Sequence, residues 1–183
     1  MISLPFRRFR QTPSIDALYG MIVAQARSPA FYASYGVPDT VAGRLDMIVL
    51  HLVLLVRQLT KDEGKVPGAV SPLGQQLFNR FCRDIDDNFR EMGVGDLAVP
   101  KEMQRVAEAF YGRAKVYEAA LADDSAAPLD AAVTRNVFGV VEPPLGARRL
   151  AAYMREASRR LDAQEPGALA RAKVEFPDPE SIA

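Results

Sequence analysis

Apolar residues recur at intervals of three and four along most of the chain, the spacing that places them on one face of a helix. No segment shows the sustained apolar and polar alternation that is typical of a strand. The pattern therefore predicts an all-α fold, a single-domain bundle of about six helices. We expect a basic N-terminal arm at residues 1–12, a helical domain at 13–164, and a tail at 165–183 that becomes ordered only by packing against another surface.

Capping residues, prolines and glycines mark where the predicted helices begin and end. The predicted helices run from Ser14 to Ser28, from about Thr40 to Thr60, from Ser71 to Gly93, from Pro100 to about Leu121, from about Leu129 to Phe138, and after Gly146 to near Ala163. Between the first two helices, the sequence predicts an aromatic connector that contains Phe31, Tyr32 and Tyr35.

The second predicted helix is apolar on nearly every side. Its main stripe is accompanied by a second apolar strip of Met47, Leu50 and Leu54. A helix of this kind belongs at the centre of a bundle or beneath a partner, and burial inside the bundle is the commoner outcome. If the strip is exposed in the fold, it is the first candidate for a partner-binding surface.

Composition narrows the range of functions. The chain has 183 residues, and its 23 basic and 23 acidic side chains give no general reason to expect binding to DNA. Cys82 is the only cysteine, which excludes an intramolecular disulfide and fits a reducing compartment. The longest apolar stretch, Leu45 to Val56, is shorter than the roughly 20 residues of a membrane span. We expect a cytoplasmic protein that is at most peripheral to a membrane.

The sequence shows no catalytic constellation and no motif for a metal or a cofactor. His51 is the only histidine, and it lies mid-helix between two leucines. We interpret it as a structural residue of a buried polar core that also contains Arg44 and Asp84. The acidic run from Asp84 to Asp87 does not predict a metal site, because helical spacing points its three carboxylates in different directions.

Two basic regions are candidates for binding surfaces. The last helix carries a stripe of exposed arginines, Arg148, Arg155 and Arg159, which suits a partner with phosphate or carboxylate groups. The alternative interpretation is a solvated face whose charge is partly neutralised by acidic residues nearby. The N-terminal arm combines two aromatic residues with three arginines, a composition suited to weak contact with a membrane surface. The candidate contact residues of the arm are Phe6, Arg7, Arg8 and Arg10.

Four stretches of the chain, taken in order, resemble the ubiquinol-cytochrome c chaperone family. They are Tyr35 to Arg57, Asp84 to Asp96, Val99 to Tyr117 and, more weakly, Leu145 to Leu161. The second and third contain Asp-Ile-Asp-Asp-Asn-Phe-Arg-Glu-Met-Gly and Ala-Phe-Tyr-Gly-Arg-Ala-Lys-Val-Tyr, which are distinctive enough to make chance similarity improbable. The matched positions cover most of residues 13–162.

The resemblance implies a helical, non-enzymatic assembly chaperone that recognises newly made cytochrome b of the cytochrome bc complex. Its implied partner is cytochrome b or another subunit of that complex, with the ribosome or an anionic membrane surface as further candidates. The chain lacks the mitochondrial targeting extension and the tryptophans of mitochondrial relatives. A role at the ribosome, or with a small partner protein, therefore stays open.

Two other functions compete with the chaperone. An enzyme or small-ligand protein that uses His51, Arg44 and Asp84 would need a closed polar pocket around these residues. A nucleic-acid-binding protein that uses the last helix would show steep salt dependence, and the neutral net charge makes this the weakest of the three hypotheses.

Overall fold

The structure, a computed structural model, describes residues 15–62, 71–165 and 167–182. These residues form helices joined by loops, and no strand occurs among them, which confirms the predicted all-α class. The helices are α1 (Ile15–Ala26), α2 (Pro29–Ala33), α3 (Val41–Asp62), α4 (Pro72–Glu91), α5 (Val99–Ala122), α6 (Ala127–Val133) and α7 (Leu145–Ala163). A π-helical turn (Thr134–Phe138) continues α6, and two short 3-10 turns (Leu169–Arg171 and Pro179–Ser181) follow α7.

Local chemistry explains the helix boundaries that the sequence predicted best. The Ser71 hydroxyl accepts a hydrogen bond from the Gly74 amide at 2.9 Å, so it caps α4 directly before the proline at the first helical position. Gly139 ends the π-helical turn with a φ of 66°, a left-handed conformation that glycine adopts without strain. The prediction of an irregular connector after α1 was wrong in part, because Pro29–Ala33 forms the short helix α2.

Helix α3 is the centre of the bundle. It packs against α1, α4, α5 and α7, and 12 of its 22 residues are buried. The strip of Met47, Leu50 and Leu54 is at most 1% exposed, so it lies inside the core. The idea that this strip forms a partner-binding surface is therefore wrong, because neighbouring helices cover both sides of α3.

Helices α3 and α7 run parallel and in register. Three polar contacts between them join residues at nearly constant separation in sequence: His51 with Tyr153, Arg57 with Ser158, and Lys61 with Asp162. The separations are 102, 101 and 101 residues, so each step along α3 is matched by a step along α7. The two helices consequently begin at the same end of the bundle.

The chain after α7 packs back onto the helices. In residues 173–182, which we call the C-terminal strap, the charged residues are exposed and most of the apolar residues are half-buried or buried. Three backbone carbonyls of the strap accept hydrogen bonds from side chains of the helical domain. The donors are Gln25 to Pro177 at 3.1 Å, Tyr35 to Pro179 at 2.7 Å and Arg149 to Ile182 at 2.9 Å.

A glycine near the start of α7 lets that helix approach the chain after α2. A methyl group on Gly146 would overlap the backbone carbonyl of Tyr35, and one on Gly43 would overlap the carbonyl of Pro38. These two contacts fix the beginnings of α7 and α3 against the segment that connects α2 to α3. The lack of a side chain is therefore a packing requirement at both positions.

We expect Gly146→Ala to lower the free energy of unfolding by at least about 2 kcal/mol, because backbone has to move to admit the methyl group. Gly112→Ala in α5 is the matched control, since nothing lies within 4 Å of its added methyl group. Alanine there should be neutral or stabilise the chain by up to about 1 kcal/mol. Urea denaturation followed by circular dichroism measures both, and equal effects would contradict the proposed close packing.

Candidate functional site

His51 is fully buried and belongs to a chain of hydrogen bonds that crosses the core. Its Nδ1 lies 2.8 Å from the Met47 carbonyl oxygen, and its Nε2 lies 2.8 Å from the Tyr153 hydroxyl. The side-chain nitrogen of Gln25 lies 3.0 Å from the same hydroxyl and 3.1 Å from the Pro177 carbonyl oxygen. The chain of bonds thus connects the centre of α3 to the C-terminal strap.

The carbonyls at the two ends fix the direction of every bond in this chain. Because a carbonyl only accepts, Nδ1 of His51 carries the proton donated to Met47, and Nε2 accepts from the Tyr153 hydroxyl. Gln25 then donates one N–H to Tyr153 and the other to Pro177. His51 and Tyr153 each have a partner at both ends, as buried polar groups require.

Burial lowers the pKa of His51 to about 4, and the hydrogen bond to Met47 opposes this shift only partly. Burial likewise raises the pKa of Tyr153. The imidazole is therefore neutral at physiological pH, whereas a general acid or base works best with a pKa near the operating pH. This geometry fits the structural role that the sequence predicted for His51.

Arg44 and Asp84 do not join His51. Arg44 is exposed and donates from Nε to Asp39 at 2.6 Å, so its prediction as a core residue was wrong. Asp84 is half-buried and accepts from the Tyr19 hydroxyl at 2.9 Å, which ties α4 to α1. Each of the three predicted residues thus has its own partners, and none of these partners is shared.

The acidic run on α4 is divided among different neighbours. Asp84 faces Tyr19 and Arg80, Asp86 pairs with Arg90 at 2.8 Å, and Asp87 is exposed. Within the described residues, no group of three histidine, cysteine or acidic side chains is arranged to hold a metal ion.

The arginines of α7 do not form the continuous binding stripe that the sequence suggested. Arg155 donates to the backbone carbonyls of Ala120, Asp123 and Ser125, so it caps the end of α5. Arg159 pairs with Glu156 at 2.8 Å, and the hydrogen bonds from Arg159 and Arg160 lower the pKa of Glu156 to about 2. Arg148 is exposed at the first turn of α7.

The predicted membrane-contact residues Phe6, Arg7, Arg8 and Arg10 lie outside the described residues. Within the described ranges, no helix is both long enough and apolar enough to cross a bilayer.

A groove between α3 and α5 is lined mainly by apolar side chains. Its apolar lining residues are Ala42, Leu45, Val49, Val106 and Ala109. Two ion pairs flank the groove, Arg113 with Asp46 at 2.6 Å and Arg105 with Glu102 at 2.7 Å. Burial raises the pKa of Asp46, while the neighbouring guanidinium of Arg113 opposes that rise.

The groove exists because α5 is only lightly packed. Only Val99, Phe110, Tyr117 and Ala120 are buried among its 24 residues. Sequence reasoning missed the groove because the apolar spacing of α5 does not show that Val106 is only half-buried. The signal in the sequence was weak: α5 carries an exposed apolar residue, Val116, on a side that an ordinary amphipathic helix keeps polar.

The pattern of the Ubiquinol-cytochrome C chaperone family matches residues 33–176, and this chain belongs to that family. The fold is also similar to the crystal structure of the Cbp3 homolog from Brucella abortus. The two chains are 34% identical, the match covers 92% of this chain and 91% of that chain, and the TM-score is 0.79. Among curated proteins, no sequence matches this chain. The resemblance inferred from the sequence is confirmed.

We expect stability to fall as the pH decreases from about 6.5 toward 4. In this window the unfolded chain takes up a proton on His51, whose ordinary pKa is 6.5, while the folded chain does not until about pH 4. The total loss is about 3 kcal/mol. Urea denaturation at pH 7.5, 6.5 and 5.5 measures the slope.

The control for this pH dependence is His51→Gln, which keeps a donor and an acceptor but does not titrate. Because the chain has a single histidine, carboxylates should contribute similarly in both proteins, and only the wild type should show the histidine component. Parallel pH dependences would show that His51 is not the cause.

We expect Arg155→Gln to lower the free energy of unfolding by about 1–2 kcal/mol, because the carbonyls at the end of α5 lose charge-assisted donors. Arg148→Gln on the same helix should change it by less than about 0.5 kcal/mol, since Arg148 is exposed. Thermal and urea denaturation distinguish the two variants. Equal losses would contradict the capping role of Arg155.

Proposed function

We propose that this protein is an assembly chaperone that binds newly made cytochrome b during biogenesis of the cytochrome bc complex. The observation that supports this function most is the family match, which extends over residues 33–176. The similarity in fold to a Cbp3 homolog over nearly the whole of both chains supports the same conclusion. The protein would act at the cytoplasmic face of the inner membrane.

The proposed activity is binding and not catalysis. His51 is neutral and fully hydrogen-bonded in the core, while Arg44 and Asp84 contact other partners. The enzyme hypothesis required these three residues to share one pocket, and their separation argues against it. The dispersed arginines of α7 likewise give little support to the nucleic-acid hypothesis, which needs a concentrated basic patch.

The groove between α3 and α5 is the surface we propose for the client, meaning the incompletely assembled subunit. A groove between two helices accepts a third helix, whose apolar face packs on the floor while the edges supply polar contacts. Here small and branched apolar residues form the floor, and paired charges at the sides leave no isolated charge facing the client. Such a surface suits an apolar helix of a membrane protein before its own partners are in place.

Deletion of the gene tests the function. We expect a deletion strain to lose most of its assembled cytochrome bc complex and the corresponding b-type haem absorbance in its membranes, with recovery on complementation. Other respiratory complexes, measured in the same membranes, are the control. A deletion strain with normal b-type haem spectra and a normal complex would overturn the proposal.

A charge in the groove tests the binding surface. Ala109→Glu places a carboxylate on the groove floor at an exposed, helix-compatible position, whereas Ala119→Glu makes the same change on α5 outside the groove. We expect affinity purification from gently solubilised membranes to recover at least about tenfold less cytochrome b with Ala109→Glu, because the added carboxylate, even beside Arg105 and Arg113, would lose its water when an apolar client covers it. Equal recovery with both variants would exclude the groove as the binding site.

A further inference from the structure

Four large apolar side chains are exposed at the beginnings of α3 and α7 and in the loop that leads into α7. These are Val41 (74% exposed), Val140 (46%), Val141 (96%) and Leu145 (75%), which we call the aliphatic tip. Exposure of single apolar residues is ordinary, but a group of protruding aliphatic side chains marks an interaction site. The arrangement therefore calls for a partner that covers it.

The fold brings these side chains together. Because α3 and α7 run parallel and in register, Val41 and Leu145 occupy the first positions of two adjacent helices. Gly43 packs against Pro38 and Gly146 packs against Tyr35, both in the segment between α2 and α3. This segment therefore holds the first turns of α3 and α7 at the same end of the bundle. Val140 and Val141 lie in the loop that leads directly into α7.

Each of the two helices carries an exposed arginine three residues after its exposed apolar residue. Arg44 follows Val41, and Arg148 follows Leu145. Residues three apart share a helix face, and the rise along the axis separates them by about 4.5 Å. In both helices, therefore, an exposed aliphatic side chain stands at the first position and an exposed guanidinium follows about one turn later along the helix.

This order matches the layers of a bilayer surface, where apolar side chains enter the acyl boundary and arginines lie at the level of the lipid phosphates. Exposed Arg27 lines the same surface cleft as Arg44 and adds to the positive charge. Two acids are nearby in sequence: Asp39 pairs with Arg44 at 2.6 Å, and Glu142 is exposed in the loop. They reduce the attraction to anionic lipid, so binding should be weak and dependent on salt.

A protein partner would fit this surface less well. Cores of protein interfaces are enriched in tyrosine, tryptophan, phenylalanine and methionine, and they contain pockets that receive an anchor residue. The aliphatic tip contains only valine and leucine, and its side chains protrude at a loop and two helix beginnings. Protruding aliphatic residues can enter a lipid layer without a matching concave surface.

We propose that the aliphatic tip, together with Arg44 and Arg148, is a docking surface for an anionic lipid bilayer. It orients the beginnings of α3 and α7 toward the membrane. This inference does not rest on the identity of the client, because lipid binding is measured on the purified chain alone.

A tryptophan reporter tests insertion directly, because the chain contains no tryptophan of its own. The purified full chain with Val141→Trp should show a blue shift of its emission on addition of vesicles of phosphatidylcholine and phosphatidylglycerol (7:3), and lipids brominated on the acyl chain should quench it. Val116→Trp, on the exposed side of α5, is the control and should not shift. No shift at Val141, or equal shifts at both positions, would overturn the proposal.

Sedimentation with the same vesicles tests the two chemical components. Val141→Ser with Leu145→Ser should reduce the bound fraction at least about tenfold, since apolar burial is lost. Arg148→Gln should reduce it about fivefold on anionic vesicles at low salt and leave the weak binding to pure phosphatidylcholine unchanged. Val116→Ser should bind as the wild type does.

Circular dichroism of each variant checks that the helical fold is kept, which is expected because all the changed side chains are exposed. Failure of the wild-type chain to bind anionic vesicles would overturn the proposal. So would concentration-dependent self-association through the tip without lipid binding, because it would identify a second copy as the occupant.

Discussion

The buried chain of hydrogen bonds from Met47 through His51, Tyr153 and Gln25 to Pro177 is the constraint on which the arrangement of the core depends. A carbonyl at each end dictates the tautomer of the imidazole and the direction of the phenol and amide groups. The cost of leaving any one of these groups unpaired in the core is high, so the chain specifies one relative position for its elements. Helices α1, α3 and α7 and the strap are all fixed by it.

The parallel pairing of α3 and α7 follows from the same contacts and has consequences at both ends of the bundle. At the far end it brings Lys61 to Asp162, a partly exposed ion pair that adds little stability, and Arg57 to Ser158, a hydrogen bond that is mostly buried. At the near end it places two helix beginnings side by side. One pairing thus creates the buried core and groups the exposed aliphatic residues.

Local signals determined how much of the fold the sequence could predict. The Ser71 cap, Gly139 and the apolar periodicity of α3 act within a few residues, so they were readable without knowledge of the fold. The burial of the second apolar strip of α3 depended on which helices cover it. For that reason, the apolar pattern of α3 was compatible both with burial inside the bundle and with exposure as a partner-binding surface.

The roles of individual polar residues depended on tertiary contacts and were harder to infer. Arg155 looks like any surface arginine until the end of α5 is placed beside it, 32 residues away in sequence from Asp123. Arg44 forms an exposed ion pair with Asp39, five residues before it, and this pairing keeps the guanidinium out of the core. The pattern of charged and apolar residues in the strap covers only a few residues interrupted by prolines, and a pattern this short is weak evidence for an ordered segment.

The core of the helical domain is completed by the strap, which is synthesised after all of the helices that it contacts. Phe176 packs edge-on against His51 with ring centroids 5.1 Å apart, and Pro177 supplies the last acceptor of the buried hydrogen-bond chain. Until the ribosome has delivered these residues, the Gln25 amide lacks the second of its two acceptors and one side of the imidazole is uncovered. A nascent chain that ends at α7 is therefore a helical but unfinished protein, and the final locking of its core has to wait for the strap.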